Sequence, residues 1–138
     1  LLNAAVQTVE ANDTVMYSSA VSANTPSILW RVGSGLVTLR GIGTTQSRAR
    51  FRVSYHGNVA LSTGATVAPI EFAIMINGEA VVSSKAISTP AAIGDFNNIA
   101  ASTFIDVATG CCNQISLNNI GTTSADILNV SLIVERVA

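Results

Sequence analysis

Toward the end of the chain, over 125–138, apolar and polar positions alternate. Leu128, Val130, Leu132 and Val134 fall on one side of an extended backbone, and Asn129, Ser131 and Glu135 on the other. A period of two is the mark of a half-buried strand. Ile133 breaks it, apolar on the polar side. A strand this long, half-buried to its last residues, has to lie inside a sheet, so the pattern predicts a closed β architecture.

The same alternation recurs upstream between clusters of turn residues. Strands are expected at Ala5 to Val9, Thr14 to Ser19, Ser27 to Val32 and Leu36 to Arg40, separated by Ala11-Asn12-Asp13, Asn24-Thr25-Pro26 and Gly33-Ser34-Gly35, with Gly41-Ile42-Gly43 after the last. The longest runs from Arg48 to Ala60. Ala49, Phe51, Val53, Tyr55 and Val59 share one face, and Arg48, Arg50, Arg52, Ser54, His56 and Asn58 the other. After a loop at Ser62 to Thr66, Pro69 opens a strand with Ile70, Phe72, Ile74 and Ile76 inward and Glu71, Ala73 and Met75 outward. Asn77-Gly78 is a strong hairpin signal, because both residues tolerate the positive φ of a type I′ turn. Glu79 to Ile87 is then the returning strand, and Thr89-Pro90 to Asn97-Asn98 a long connection. Ile99 to Val107 and Cys112 to Asn118 follow, with Thr109-Gly110 between them and Asn119 to Thr123 leading into the terminal strand. No helical periodicity of useful length and no internal repeat is present. About ten antiparallel strands, each with one apolar face, predict an all-β two-sheet jelly roll formed as a single domain over 1–138. Residues 1–13 read either as a short edge strand or as an arm reaching a neighbour.

Composition sharpens this picture. Charged residues make up 11% of the 138 positions, against about 25% in ordinary soluble domains. The hydrophobic share is 49% with only 5% aromatic, so the apolar content is mainly aliphatic and the polar faces carry Ser, Thr and Asn. Weak charge gives weak solubility, and surplus apolar surface is expected to be covered between subunits. A net charge of -1 and a single lysine, Lys85, argue against nucleic acid. No run long enough to span a bilayer appears, so no membrane insertion is expected, and the first residues lack the basic-then-hydrophobic pattern of a signal peptide.

Candidate chemistry is sparse. His56, the one histidine, sits among arginines on a strand with no nucleophile or orienting acid beside it. Gly33-Ser34-Gly35 lacks the Gly-x-Ser-x-Gly spacing of a nucleophile elbow and reads as a tight turn. Asp95, Asn97 and Asn98 offer oxygens without calcium-loop spacing, and turn chemistry accounts for them. Cys111 and Cys112 are adjacent, so their side chains leave a strand in opposite directions and read as two reduced thiols. The sequons at Asn12 and Asn129 read as chance, the second lying within a strand. No catalytic residue, metal or cofactor is expected. The row Arg48, Arg50, Arg52 is the feature with most content, because three cations on one strand face need neutralising. Glu71, Glu79, Asp106 and Glu135 are the candidates. Three readings stay open: cross-strand pairs on an exposed face, an ion-pair network between subunits, or a site for an anionic ligand.

Three segments carry a family resemblance: Ala49 to Tyr55, the hairpin Phe72 to Glu79, and the ending Leu132 to Ala138. From about Val37 onward the chain resembles the TNF-like jelly-roll superfamily that includes the globular head of complement's first component, and within it bacterial and phage members such as the heads of collagen-like spore-surface glycoproteins. The resemblance implies a non-enzymatic homotrimer packed through apolar strand faces and displayed on a surface. No Gly-x-Thr collagen-like repeat precedes the head in this sequence, which favours a stand-alone member. The expectation is therefore a structural protein decorating or extending a virion, a bacteriophage capsid or fibre, with the capsid or another surface scaffold as its partner. The alternative is a receptor- or glycan-binding module on a spore, cell wall or fibre tip, acting through Ser62 to Thr66 and Pro90 to Asn98. Arg48, Arg50, Arg52, Ile133 and Glu135 are the candidate subunit-interface residues; Ile133 has that role because an apolar side chain on a polar face needs a cover.

Overall fold

The structure is a computed structural model and describes residues 1–19, 27–31, 33–42, 48–108 and 112–137. The expected turns at Asn24-Thr25-Pro26 and Thr109-Gly110, and Val32, Gly43, Cys111 and Ala138, lie outside them. Among the described residues there are eleven strands: β1 (Leu2–Asn3), β2 (Gln7–Val9), β3 (Ile28–Trp30), β4 (Val37–Arg40), β5 (Arg48–Leu61), β6 (Ile70–Ile76), β7 (Glu79–Ala80), β8 (Ala86–Ser88), β9 (Asn97–Ala108), β10 (Cys112–Asn119) and β11 (Ala125–Arg136). They form two antiparallel sheets. One runs β1-β11-β5-β9 with β2 also on β11, the other β3-β4-β10-β6-β7 with β8 also on β6. From β4 onward the chain crosses back and forth between sheets, so in-sheet neighbours are distant in sequence, as in a jelly roll. The all-β two-sheet fold expected from the alternation is the fold observed.

The core is what the alternation of β5 predicts. Ala49, Phe51, Val53, Tyr55 and Val59 are all buried, facing Phe72 and Ile74 of β6 and Ile115 and Leu117 of β10. Each such aliphatic or phenyl side chain contributes about 1.5–3 kcal/mol by leaving water. The Tyr55 hydroxyl, set between the carbonyls of Phe72 (3.2 Å) and Ser84 (2.6 Å), satisfies its polar end inside this core, and burial pushes its pKa well up.

Several expectations need correcting. Thr14 to Ser19 is not a strand: among the described residues it makes only the single bridges Thr14–Asn118 and Leu2–Ser19. Its alternation is real, with Val15 and Tyr17 buried, but its backbone bonds go to three places, Val15 N–H to Leu117, Gly33 N–H to Tyr17 and Ser19 N–H to Leu2. The return from Asn77-Gly78 (φ 50° and 91°) is also not continuous. It breaks into β7, a 3-10 turn at Val82–Ser84 and β8. Ser84 forces the break: its buried Oγ donates to the Val81 carbonyl (2.7 Å) and accepts from the Ile74 N–H (2.9 Å), a bond a further strand residue would have made. On β6 Ala73 is buried and Ile76 only half-buried. On β11 the inward residues are Ala125 and Ile127 and then Val130 and Leu132, not Leu128. The register against β5 shifts between Leu128 and Ser131, where Asn129 takes φ 53°. That β-bulge adds a residue and reverses which parity faces the core.

Candidate functional site

Two surfaces of the five-stranded sheet draw attention, its broad outer face and the end where its loops gather. The face carries the arginine row. Register sets Arg50 opposite Asp106, Arg52 opposite Phe104 and, on the other side, Glu135 opposite Arg52. Asp106 takes Arg48 at 3.2 Å and Arg50 at 2.8 Å, and Glu135 takes Arg52 at 2.5 Å. Two of the four candidate acids thus neutralise the row within one chain; Glu71 instead pairs with Lys85 (2.8 Å) and Glu79 lies in the hairpin. The Arg50 hydrogen bond, followed by the nearby positive charge, holds Asp106 below the ordinary carboxylate value of 3.8. A lowered folded-state pKa stabilises the fold above that range, and the benefit is lost as pH falls through it. Asp106→Asn should therefore lower the thermal midpoint slightly at pH 7, and the gap from the parent protein should close in melts below about 3.8. A gap independent of pH would exclude this role.

On the same face Ile133 is exposed, as expected for an apolar residue on the polar side, and so is Phe104. Sequence reading missed Phe104, although it shares parity with Asp106 and so was bound to point outward with the arginines. Beside Ile133 lies a hollow of about 390 Å³ bounded by Ser54, His56, Ala100 and Ser102.

At the loop end, Thr8 and Glu10, the 62–66 loop and the 122–124 turn enclose a cleft of about 420 Å³. Its walls carry the hydroxyls of Thr8, Ser62, Thr63, Thr66, Thr122, Thr123 and Ser124, the Glu10 carboxylate and no cation. Thr8 Oγ1 and Ser62 Oγ both donate to Asp126 Oδ1, at 2.7 and 2.9 Å. That pins the start of the 62–66 loop to β2 and β11. The loop then turns through an Ala65 N–H bond to the Ser62 carbonyl, with Gly64 at φ +85°. The opposite wall is held by Asn119, fully buried, whose Nδ2 donates to the carbonyls of Val9 (3.0 Å) and Thr123 (2.9 Å) while its Oδ1 accepts from the Gly121 N–H (3.0 Å). Glu10, exposed at the rim, has no ion-pair partner among the described residues. The second expected loop reaches the same end. Gly94 N–H bonds the carbonyl of Leu61, one residue before Ser62, and this loop exposes Ile93 and Phe96.

A groove of about 500 Å³ beside β3 includes Trp30 and Gln114. There the indole N–H is already given to the Ser34 carbonyl at 2.8 Å and the ring packs on the core, so the tryptophan is structural. Cys112 is exposed. Among the described residues no group of three His, Cys, Asp or Glu side chains gathers to hold a metal.

No family model matches the chain and no curated protein matches it. Solved structures do. A CBM35 from Cellvibrio japonicus Abf62 overlaps 99% of this chain and 97% of its own at 14% identity and a TM-score of 0.39. The EclA C-terminal domain, described as a sugar-binding protein, overlaps 96% of this chain and 81% of its own at 13% identity and a TM-score of 0.40. The GH26-CBM35 β-(1,4)-mannanase of Podospora anserina overlaps 99% of this chain but 28% of its own, at 15% identity and a TM-score of 0.32. At such scores these overlaps say nothing of ligand or partner. TNF-like proteins are not among these three; what stands of the expected resemblance is the coarser jelly-roll-like sandwich.

Proposed function

We propose that this protein is a non-catalytic surface recognition module that binds a glycan in the cleft between the 62–66 loop, the 122–124 turn and Glu10. The carrying observation is the lining of that cleft: seven hydroxyls and one carboxylate free of any ion pair, with no cation. Sugars are recognised by hydrogen bonds to neutral and acidic side chains converging in a concavity, with apolar contact alongside. Ile93 and Phe96 supply exposed apolar surface at the same end. The absence of a cation in the lining favours neutral over acidic glycans. Binding without turnover fits the acids: Asp126 is occupied by two hydroxyl donors, which leaves Glu10 alone, whereas glycoside hydrolysis needs a facing carboxyl pair. Decoration of a virion asks only for a closed outer surface, while a hydroxyl-lined cleft asks for a ligand, so the recognition reading is the better supported of the two.

A glycan array followed by calorimetric titration of the best hit tests this. Glu10→Gln should weaken binding by about 10-fold or more, the scale of one hydrogen bond to a charged group, with an unchanged melting midpoint because Glu10 is exposed. Silence across neutral and acidic glycans alike, or binding indifferent to Glu10→Gln and Thr66→Ala together, would overturn the proposal.

A further inference from the structure

We infer that the outer face of the five-stranded sheet is an interface between copies of this chain, in which Phe104 of one copy seats in the hollow over Ser54, Ala100 and Ser102 of another. The inference is independent of the cleft.

The face is built in cross-strand rows. Ile133, Ser54 and Ser102 form the middle one, flanked by Glu135, Arg52 and Phe104 on one side and Ser131, His56 and Ala100 on the other. Ile133 on β11 and Phe104 on β9 therefore stand in adjoining rows on opposite edges, with the Arg52–Glu135 ion pair and Ser54 between them and the small residues Ser54, Ser102 and Ala100 alongside. Phe104 is 61% exposed and Ile133 51%, although both belong to regular, well-paired strands. The hollow is a shallow, open depression over Ser54, Ala100 and Ser102, and Ile133 forms part of its rim.

Three observations select a second copy as the occupant. The first is shape. Phe104 and Ser102 are two positions apart on one strand, so a single patch carries both the projection and the recess, which is what contact between like surfaces requires. The second is charge. Arg48, Arg50 and Arg52 face Asp106 and Glu135 within the chain, three cations against two anions. The face thus carries about one net charge, and two copies meet without the repulsion a bare arginine row would impose. The third is area. Three strands about 4.8 Å apart and a stretch of about 34 Å along Arg48 to Asn58 present roughly 500 Å² of sheet per copy. Two copies together bury about 1,000 Å², the threshold for a specific interface.

Sedimentation equilibrium of the whole chain over a concentration series is the test. The expected mass is a multiple of 14.2 kDa. Phe104→Ser, Ile133→Asp and the hollow-filling Ala100→Arg should each raise the dissociation constant at least about 10-fold. Phe96→Ser, at the loop end, should leave it unchanged. Far-UV circular dichroism should be the same for all four, since each alters an exposed position. A dimer meets the expectation, since one patch meeting its own copy closes as a two-fold pair. A parent protein that stays monomeric at high micromolar concentration, or an oligomer that none of the three face variants weakens, overturns it.

Discussion

Asn119→Ala is expected to cost about 3–5 kcal/mol of folding stability, at roughly 1–3 kcal/mol for each buried hydrogen-bonding group left without a partner. Three such groups are created at once. The carbonyls of Val9 and Thr123 lose their donor and the N–H of Gly121 its acceptor, all in buried surroundings. In a chain of this length the melting midpoint should fall by roughly 10–20 °C. Asn119→Asp is the informative companion. It keeps the shape and the acceptor for Gly121 but turns the other oxygen against two carbonyls, so it should be at least as damaging at neutral pH. Burial beside carbonyls raises such a carboxyl's pKa in the folded state, so part of that loss should be recovered as the pH falls and the group regains a proton. Because Asn119 holds the 120–123 turn to the end of β2, the glycan binding proposed for the cleft should weaken in both variants even where the fold survives. A chemical-denaturation shift below about 1 kcal/mol would show that water replaces the side chain at little cost.

The second large effect separates two glycines of one turn. A Cβ on Gly35 would lie 2.3 Å from the Val15 carbonyl oxygen and 2.5 Å from Thr14 Cγ2. The Val15 backbone cannot yield, because its N–H is bonded to the Leu117 carbonyl at 2.8 Å and its side chain is fully buried. Gly35→Ala should therefore cost about 3 kcal/mol, the upper end of what forced overpacking produces. Gly33 has open space around it and a φ of +83°, so Gly33→Ala should cost only about 1 kcal/mol, from conformation alone. Gly33→Asn should recover part of that, as asparagine visits this region more readily. Thermal melts of the three variants decide it, and a larger loss at position 33 than at 35 would refute the assignment.

The elements legible in the sequence are those whose side-chain pattern and hydrogen-bond partners agree. β5, β6, β9 and β10 each pair along their length with regular neighbours, so alternation alone located them within a few residues; it located β11 as well, but the bulge at Asn129 put Leu128 on the opposite face from the one expected. Thr14 to Ser19 alternates just as well, because Val15 and Tyr17 are buried, yet its backbone serves three different partners and never joins a ladder. Pattern reports burial, and pairing is a separate fact. The return strand after Asn77-Gly78 failed for a related reason, since Ser84 replaces a ladder bond with its own hydroxyl and composition gives no sign of it. The loop end was half legible. The 62–66 and 90–98 loops stood out by turn residues, while Thr8, Glu10 and the 122–124 turn joined them only through contacts far apart in sequence, such as Thr8 with Asp126. Of the arginine row, the sequence left three readings open, and the structure places Asp106 and Glu135 against it.

The bulge at Asn129 has a consequence for how the two surfaces can change. Asp126 and Ile133 differ in parity, and an unbroken strand would have to turn one of them inward. The added residue lets the same strand present Asp126 outward beneath the cleft and Ile133 outward on the sheet face. It acts as a phase shifter, dividing β11 into two segments that answer to different demands. Under the two proposals made above, substitutions that retune the cleft before Asn129 and substitutions that retune the sheet face after it can then accumulate separately, provided the offset between them is kept.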